Sequence, residues 1–308
     1  FSVLSYEKPQ NLYKNVYMKG FVNLENRIDS SAIFYNDRFS VYHGNDNWAK
    51  IEEIEKSLLG KSLSVACVPF AFVYWYPFEF TNLTNEERCA ESKRLVEEHL
   101  DYGVEFIKKI KPDIMIPFGS NLVHFTGAYS ECNLAVKTPL EFLDYTLEKI
   151  PKHSSCIEPL HANDYILSIN GKNNITKEKR DLAGYRQEMN KFIKNCLLKD
   201  STEDYFSKFK IKEKESFLFI IKKRISEIPD LDQILVIESS CTNYTLSINF
   251  KNKEVKFLEK KEMGIINMPY HIFSLDKFMS KAYFSGEVNF DAVLGTRRFK
   301  VYRDPDIH

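Results

Sequence analysis

The stretch Arg38-Phe-Ser-Val-Tyr-His-Gly-Asn-Asp-Asn47 decides how this chain is read. Phe39 to Tyr42 form a short apolar strand that runs into His43, Asn45, Asp46 and Asn47. A helix follows, because Ile51, Ile54 and Leu58 recur at the spacing of one helical face. An imidazole and a carboxylate are thereby placed at the carboxyl end of a strand, where open α/β sheets bind their ligands. Asp46 has an ordinary alternative. It precedes a helix, Asp is a favoured N-cap, and on position alone capping is the commoner role.

Outward from this turn the pattern alternates. Ser31–Tyr35 and Phe39–Tyr42 flank Asn36-Asp37 and read as a hairpin. The helix over about 48–59 closes at Gly60. Ser64–Phe70 is a continuous apolar run, as expected of a strand buried on both faces. Thr84-Asn-Glu-Glu87 has capping-box spacing and opens a long amphipathic helix, with Leu95, Val96, Leu100, Val104, Ile107 and Ile110 inward. His99 beside that face reads as a core or boundary residue. Pro112 stops the helix, and Asp113–Phe118 is the next buried strand. Strands alternating with helices over 31–118 predict an α/β layer. Residues 1–30 show little periodicity.

Other candidates cluster after these strands. The aromatic-rich run Ala71–Phe80 is either an interior loop or a pocket wall, in which Tyr74 and Trp75 would stack on a planar or sugar ligand. Gly119–Gly127 is a loop of small and polar residues beyond the strand end. His124, Tyr129 and Glu131 could reach the same edge as Asp46. Thr138-Pro-Leu-Glu141 begins a helix with Pro at its first position. His161 and Asp164, before a strand at Tyr165–Ile169, are further ligand candidates, although a turn accounts for Asn163-Asp164 equally well.

The polar stretch 170–178 is the best domain boundary, giving domains 1–170 and 171–308. Helices are expected over about 179–198 and 212–228. Strands are expected at Gln233–Glu238, Tyr244–Phe250, Glu254–Glu259 and Tyr270–Leu275, then a helix to Phe284. That order predicts a compact α+β module.

The totals bound the function. Of 308 residues, 43 are Lys or Arg and 43 Asp or Glu, so no net charge draws the chain to nucleic acid or an anionic membrane. A small-molecule substrate is the expected partner, and a homo-oligomer is compatible with it. Hydrophobic residues at 44% supply a substantial core. Six scattered cysteines form no C-x-x-C, which excludes a zinc ribbon or an iron–sulfur ligand set from these residues and suits a reducing cytoplasm. The longest apolar run is broken by Pro69 and Pro77, so no membrane span is expected. Phe1 rather than Met opens the chain, which leaves room for an upstream segment.

Several of these stretches resemble one family. Tyr42-His-Gly-Asn-Asp46 resembles a strand-end metal step of metallo-β-lactamase-fold proteins, and Ile110–Gly119 a late strand of that fold. Trp75-Tyr-Pro-Phe78, Ile116-Pro-Phe-Gly119, Tyr129–Asn133 and Arg303-Asp-Pro-Asp306, in this order, are similar to CMP-N-acetylneuraminate hydroxylase-like proteins. The resemblance covers residues 30–165 best. It implies a metallo-β-lactamase-like αββα sandwich followed by a smaller α+β domain, with one or two divalent ions (zinc, iron or manganese) at the sheet edge. Asp46 and His43 would then be catalytic and metal-binding, with His124 and His161 as lesser ligands and Tyr74, Trp75 and Tyr129 shaping the pocket. The implied function is a metal-dependent hydroxylase or hydrolase acting on a small polar metabolite such as a nucleotide sugar. The alternative is a non-catalytic binding or assembly protein on the same scaffold. The chain departs from the family in lacking His-x-His-x-Asp-His and the Rieske pair of Cys and His, and Pro117-Phe-Gly-Ser120 stands where a late metal His is often found.

Overall fold

The computed structural model describes residues 8–22, 30–45, 48–70, 76–119, 137–160, 164–169, 172–177, 181–198, 202–259, 269–296 and 298–304. It is a mixed α/β structure, the expected class. Two compact units divide the chain: Phe1–Val73 with Lys93–Asn195, and Tyr74–Ser92 with Cys196–His308.

The first unit is built on a seven-stranded sheet whose spatial order follows the chain. Strands β1 (Gln10–Tyr13), β2 (Val16–Val22), β3 (Ser30–Tyr35) and β4 (Ser40–His43) pair antiparallel as a meander. The region 1–30 therefore holds two strands that periodicity does not reveal. β1 is mostly exposed, and in β2 the buried position after Met18 is Gly20, which has no side chain to mark the pattern.

From β4 onward the sheet is parallel. Helix α1 (Ile51–Leu58) leads to β5 (Val65–Pro69), α2 (Asn85–Ile110) to β6 (Ile114–Phe118) and α3 (Pro139–Lys149) to β7 (Cys156–Ile157). The parallel register runs His43 to Cys67, Cys67 to Ile116 and Met115 to Ile157. Parallel strands need such crossovers, and helices on the faces bury β5 and β6 almost throughout. Both expected helix starts are in place. Thr84 and Glu87 exchange capping-box bonds (Glu87 N–H to Thr84 Oγ1 3.2 Å), as do Thr138 and Glu141. The core joins sheet to helices through Tyr42 stacked on Phe106 at 5.2 Å and Phe70 against Phe142 at 5.4 Å. Burial of one such ring contributes about 1.5–3 kcal/mol.

Strands β8 (Tyr165–Ile169) and β9 (Lys172–Thr176) pair as a separate antiparallel hairpin, Ile169 opposite Lys172. The polar run 170–178, expected as a domain boundary, contains β9. Helix α4 (Leu182–Leu198) follows.

The second unit holds α5 (Thr202–Ser207), α6 (Lys214–Ile225), β10 (Ile234–Ser239), β11 (Tyr244–Asn249), β12 (Glu254–Glu259), β13 (Tyr270–Leu275), α7 (Lys277–Phe284), α8 (Phe290–Thr296) and β14 (Phe299–Asp304). Its five-stranded sheet has the order β12-β11-β10-β13-β14, and only β10 and β13 run parallel. Phe217, Ile221 and Ile225 of α6 share its core with Ile237, Leu246, Phe273 and Val301. Phe80, from the aromatic-rich run, joins that core and bridges Val301. For this described end of the run the interior reading holds. No helix among the described residues is long and apolar enough to cross a membrane.

Candidate functional site

The parallel half of the first sheet brings the carboxyl ends of β4, β5, β6 and β7 to one edge. His43 is the last residue of β4 and is exposed. Its Nδ1 accepts the Asn45 N–H at 3.2 Å, and its ring lies 5.1 Å from that of Phe118 at the end of β6. The turn is pinned to β5 as well, since the Gly44 N–H donates to the Cys67 carbonyl at 2.8 Å. A Cβ at Gly44 would stand 2.6 Å from Pro69 Cδ and 3.2 Å from that carbonyl, so only glycine allows this approach. Asn45 then takes φ +51°, the left-handed region that Asn tolerates.

Beyond the turn the chain is clamped to α2. Trp48 stacks on Tyr102 at 5.0 Å and meets His99 edge-on at 4.1 Å, and the Tyr102 hydroxyl donates to the Ala49 carbonyl at 2.9 Å. Burial pushes Tyr42 up to about 12, so its phenol stays neutral inside this layer. His99 is buried with Nδ1 2.8 Å from the Leu95 carbonyl, a structural histidine as expected.

Asp46 itself lies outside the described residues, but the helix start beside it is described. The N-cap of α1 is Lys50, which makes no side-chain cap. The helix begins at Ile51 rather than near Trp48, so its N-cap position is that of Lys50 and not of Asp46.

Tyr74, Trp75, His124, Tyr129 and His161 also lie outside the described residues. In sequence, Tyr74 and Trp75 follow β5, His124 and Tyr129 follow β6, and His161 follows β7. Among the described residues no group of three or more His, Cys, Asp or Glu could hold a metal ion. An imidazole suits zinc or iron, but with Nδ1 accepting the Asn45 N–H the neutral His43 ring carries its proton on Nε2, so ligation through Nε2 requires the other tautomer and the loss of that bond; the other proposed donors are not described. The described residues therefore hold no complete donor set.

One polar cluster escaped the sequence reading. Glu158, buried just past β7, accepts the Cys156 Sγ–H at 2.9 Å on Oε1 and pairs with Lys177 through Oε2. Burial, then the Glu158 carboxylate, push the Cys156 thiol up to about 11. Cys156 and Glu158 are two residues apart in the chain, a spacing visible in the sequence. Lys177 lies within the polar stretch 170–178, whose composition marks a domain boundary and gives no sign of a contact with Glu158.

No protein-family model matches the chain, and no curated protein matches it in sequence. Among solved structures it is similar to Igni18, a metallo hydrolase from the hyperthermophilic archaeon Ignicoccus hospitalis KIN4/I, at 13% identity and TM-score 0.33. That match covers 57% of this chain and 60% of the hydrolase, so less than two thirds of that protein is spanned. The chain is also similar to CmlA beta-hydroxylase (11% identity, TM-score 0.30, 50% of this chain and 31% of that one). A third similarity is to sterol carrier protein-2 like-3 from Aedes aegypti (10% identity, TM-score 0.23, 29% of this chain and 84% of that one). Likenesses this partial carry no argument about activity.

Proposed function

We propose that the carboxyl ends of β4 to β7 form a ligand rim, and that the chain acts there as a metal-dependent hydroxylase or hydrolase on a small polar metabolite such as a nucleotide sugar. The supporting observation is topological. Four consecutive parallel strands end on one edge, and the segments that follow them in sequence carry Asp46, Tyr74 with Trp75, His124 with Tyr129, and His161. When bound, a divalent cation supplies a Lewis acid and a water of lowered pKa. His43 would hold it through Nε2 after a change of tautomer that gives up the Asn45 N–H bond, with its ring kept in place by Phe118. A cytoplasmic setting and a homo-oligomer belong to the same reading.

The test is elemental analysis of the natural gene product. Near-stoichiometric zinc, iron or manganese is expected, lost in Asp46→Ala with the fold retained. Dependence of turnover on oxygen and an electron donor then separates hydroxylation from hydrolysis.

A second reading, a non-catalytic binding or assembly protein, is favoured by the described histidines. His99 is bonded to the Leu95 carbonyl and His271 to the Gln233 side chain, both in structural roles. Metal-free protein that still binds a nucleotide sugar would select this reading.

A further inference from the structure

We infer that Cys156, Glu158 and Lys177 form a thiol site for acyl transfer, in which Cys156 is the nucleophile, Glu158 its base and Lys177 the residue that positions the base. The substrate class is a small ester or amide.

The backbone fixes the first two residues. The Cys156 N–H donates to the Asp113 carbonyl at 2.9 Å and the Glu158 N–H to the Met115 carbonyl at 2.8 Å, so both are tied to the β6 segment. Glu158 follows β7 directly, two residues after Cys156, and its carboxylate reaches the thiol at 2.9 Å. β7 is the last strand of its sheet, and Cys156 is exposed there while the Glu158 side chain is only 9% accessible. Each carboxylate oxygen has one partner, the thiol on Oε1 and the ammonium on Oε2. A nucleophile bonded to a base that a third group orients is the arrangement nucleophilic catalysis requires.

The arrangement also sets the mechanism. Burial and the adjacent carboxylate keep Cys156 as a neutral thiol at pH 7, so spontaneous thiolate attack is slow. The proton must leave as the S–C bond forms. Sγ adds to the carbonyl carbon, the C=O π pair moves to oxygen, and the thiol proton passes to Glu158 Oε1. Collapse expels the alcohol or amine, which takes that proton and leaves a thioester on Cys156. Water, deprotonated by the same carboxylate, hydrolyses the thioester and restores the thiol. The site makes no use of the metal reading above, and chelation is expected to leave it unchanged.

The experiment is acetylation of the full chain by p-nitrophenyl acetate, read at each cysteine by peptide mass spectrometry. Cys89 and Cys241 are exposed free thiols and serve as internal references. At pH 7 Cys156 is expected to acetylate at least about tenfold faster than either, and Glu158→Gln to lower that rate about tenfold or more. The same variant should raise iodoacetamide alkylation of Cys156 at pH 10, because removing the negative charge favours the thiolate. A merely structural Glu158 would move both rates in one direction. Lys177→Arg should keep the wild-type pH profile, and Lys177→Met should shift it.

Equal acetylation of the three cysteines, or an unchanged rate in Glu158→Gln, overturns the proposal. Should Glu158→Gln not fold, the wild-type pH–rate profile decides. A plateau reached below pH 8 supports the base, and a rate climbing with thiol ionisation overturns it.

Discussion

The His43 ring sits 5.1 Å from the Phe118 ring, tilted by 40°, so the last side chains of β4 and β6 meet across the end of β5. Two strands that are not sheet neighbours are thus joined at the rim by a ring contact. The imidazole is held on one side by Phe118 and at Nδ1 by the Asn45 N–H. The Phe118 contact limits the ring's motion, but the Asn45 bond puts the proton of a neutral ring on Nε2, so binding a cation there costs that bond and a change of tautomer.

His43→Gln is expected to weaken metal binding by about tenfold or more without altering the circular dichroism spectrum. Competition with a chelator of known affinity measures it. An unchanged affinity would remove His43 from the ligand set and leave the proposed rim without its one described donor.

Gly103 sets two effects against each other. It lies inside α2, where Gly→Ala usually stabilises by about 1 kcal/mol. A Cβ there would stand 2.6 and 2.7 Å from ring atoms of Phe142, which is fully buried and cannot swing away. Overpacking of that kind costs about 1–3 kcal/mol, so the clash wins and Gly103→Ala is expected to destabilise by about 1 kcal/mol. Urea unfolding of the single variants and of Gly103→Ala with Phe142→Leu checks the cause. The double variant should be more stable than the sum of its parts, because the second change makes room for the first.

Most of the framework was legible in the sequence wherever side chains carry the period. The buried runs at 64–70 and 113–118, the capping box at Thr84 and the second unit's strands all rest on such patterns. Glycine hides two features. Gly20 erases the alternation of β2, and Asn170-Gly171 lies in the polar stretch that reads as a domain boundary, while Ile169 and Lys172 pair on either side of it. An Asn-Gly pair between two strands is itself a hairpin signal. Long-range contacts had no local mark: Gly44 against Pro69 and Lys177 against Glu158 join segments that sequence patterns treat separately. The division into units was equally non-local, since Tyr74–Ser92 belongs with the C-terminal unit through Phe80 and its bridge to Val301.

His153 is a site where removal should help. It lies between α3 and β7, and both ring nitrogens are out of water with no hydrogen-bond partner. An orphaned buried polar group costs about 1–3 kcal/mol, whereas an apolar residue of similar size carries no such penalty. His153→Leu is expected to raise stability by about 1 kcal/mol in denaturant unfolding. A loss of stability would show that the imidazole has partners in solution, such as a bound water.

His271 makes stability depend on pH with a definite sign. It lies on β13 between Leu235 of β10 and Arg303 of β14. Burial first, and then the Arg303 guanidinium, hold it below its ordinary value. The neutral ring can accept the Gln233 side-chain amide at Nδ1, a bond that protonation would abolish. The unfolded chain, with an ordinary histidine near about 6.5, then binds the proton more readily than the folded one. The contribution is fully present above that value and is lost as pH falls from it toward the lower folded value. Unfolding free energy of the wild type should therefore decline as the pH drops from 7 to 5. In His271→Gln, which has no titrating ring, that decline should be shallower, and an identical slope in the two proteins would mean that His271 titrates alike in the folded and unfolded states.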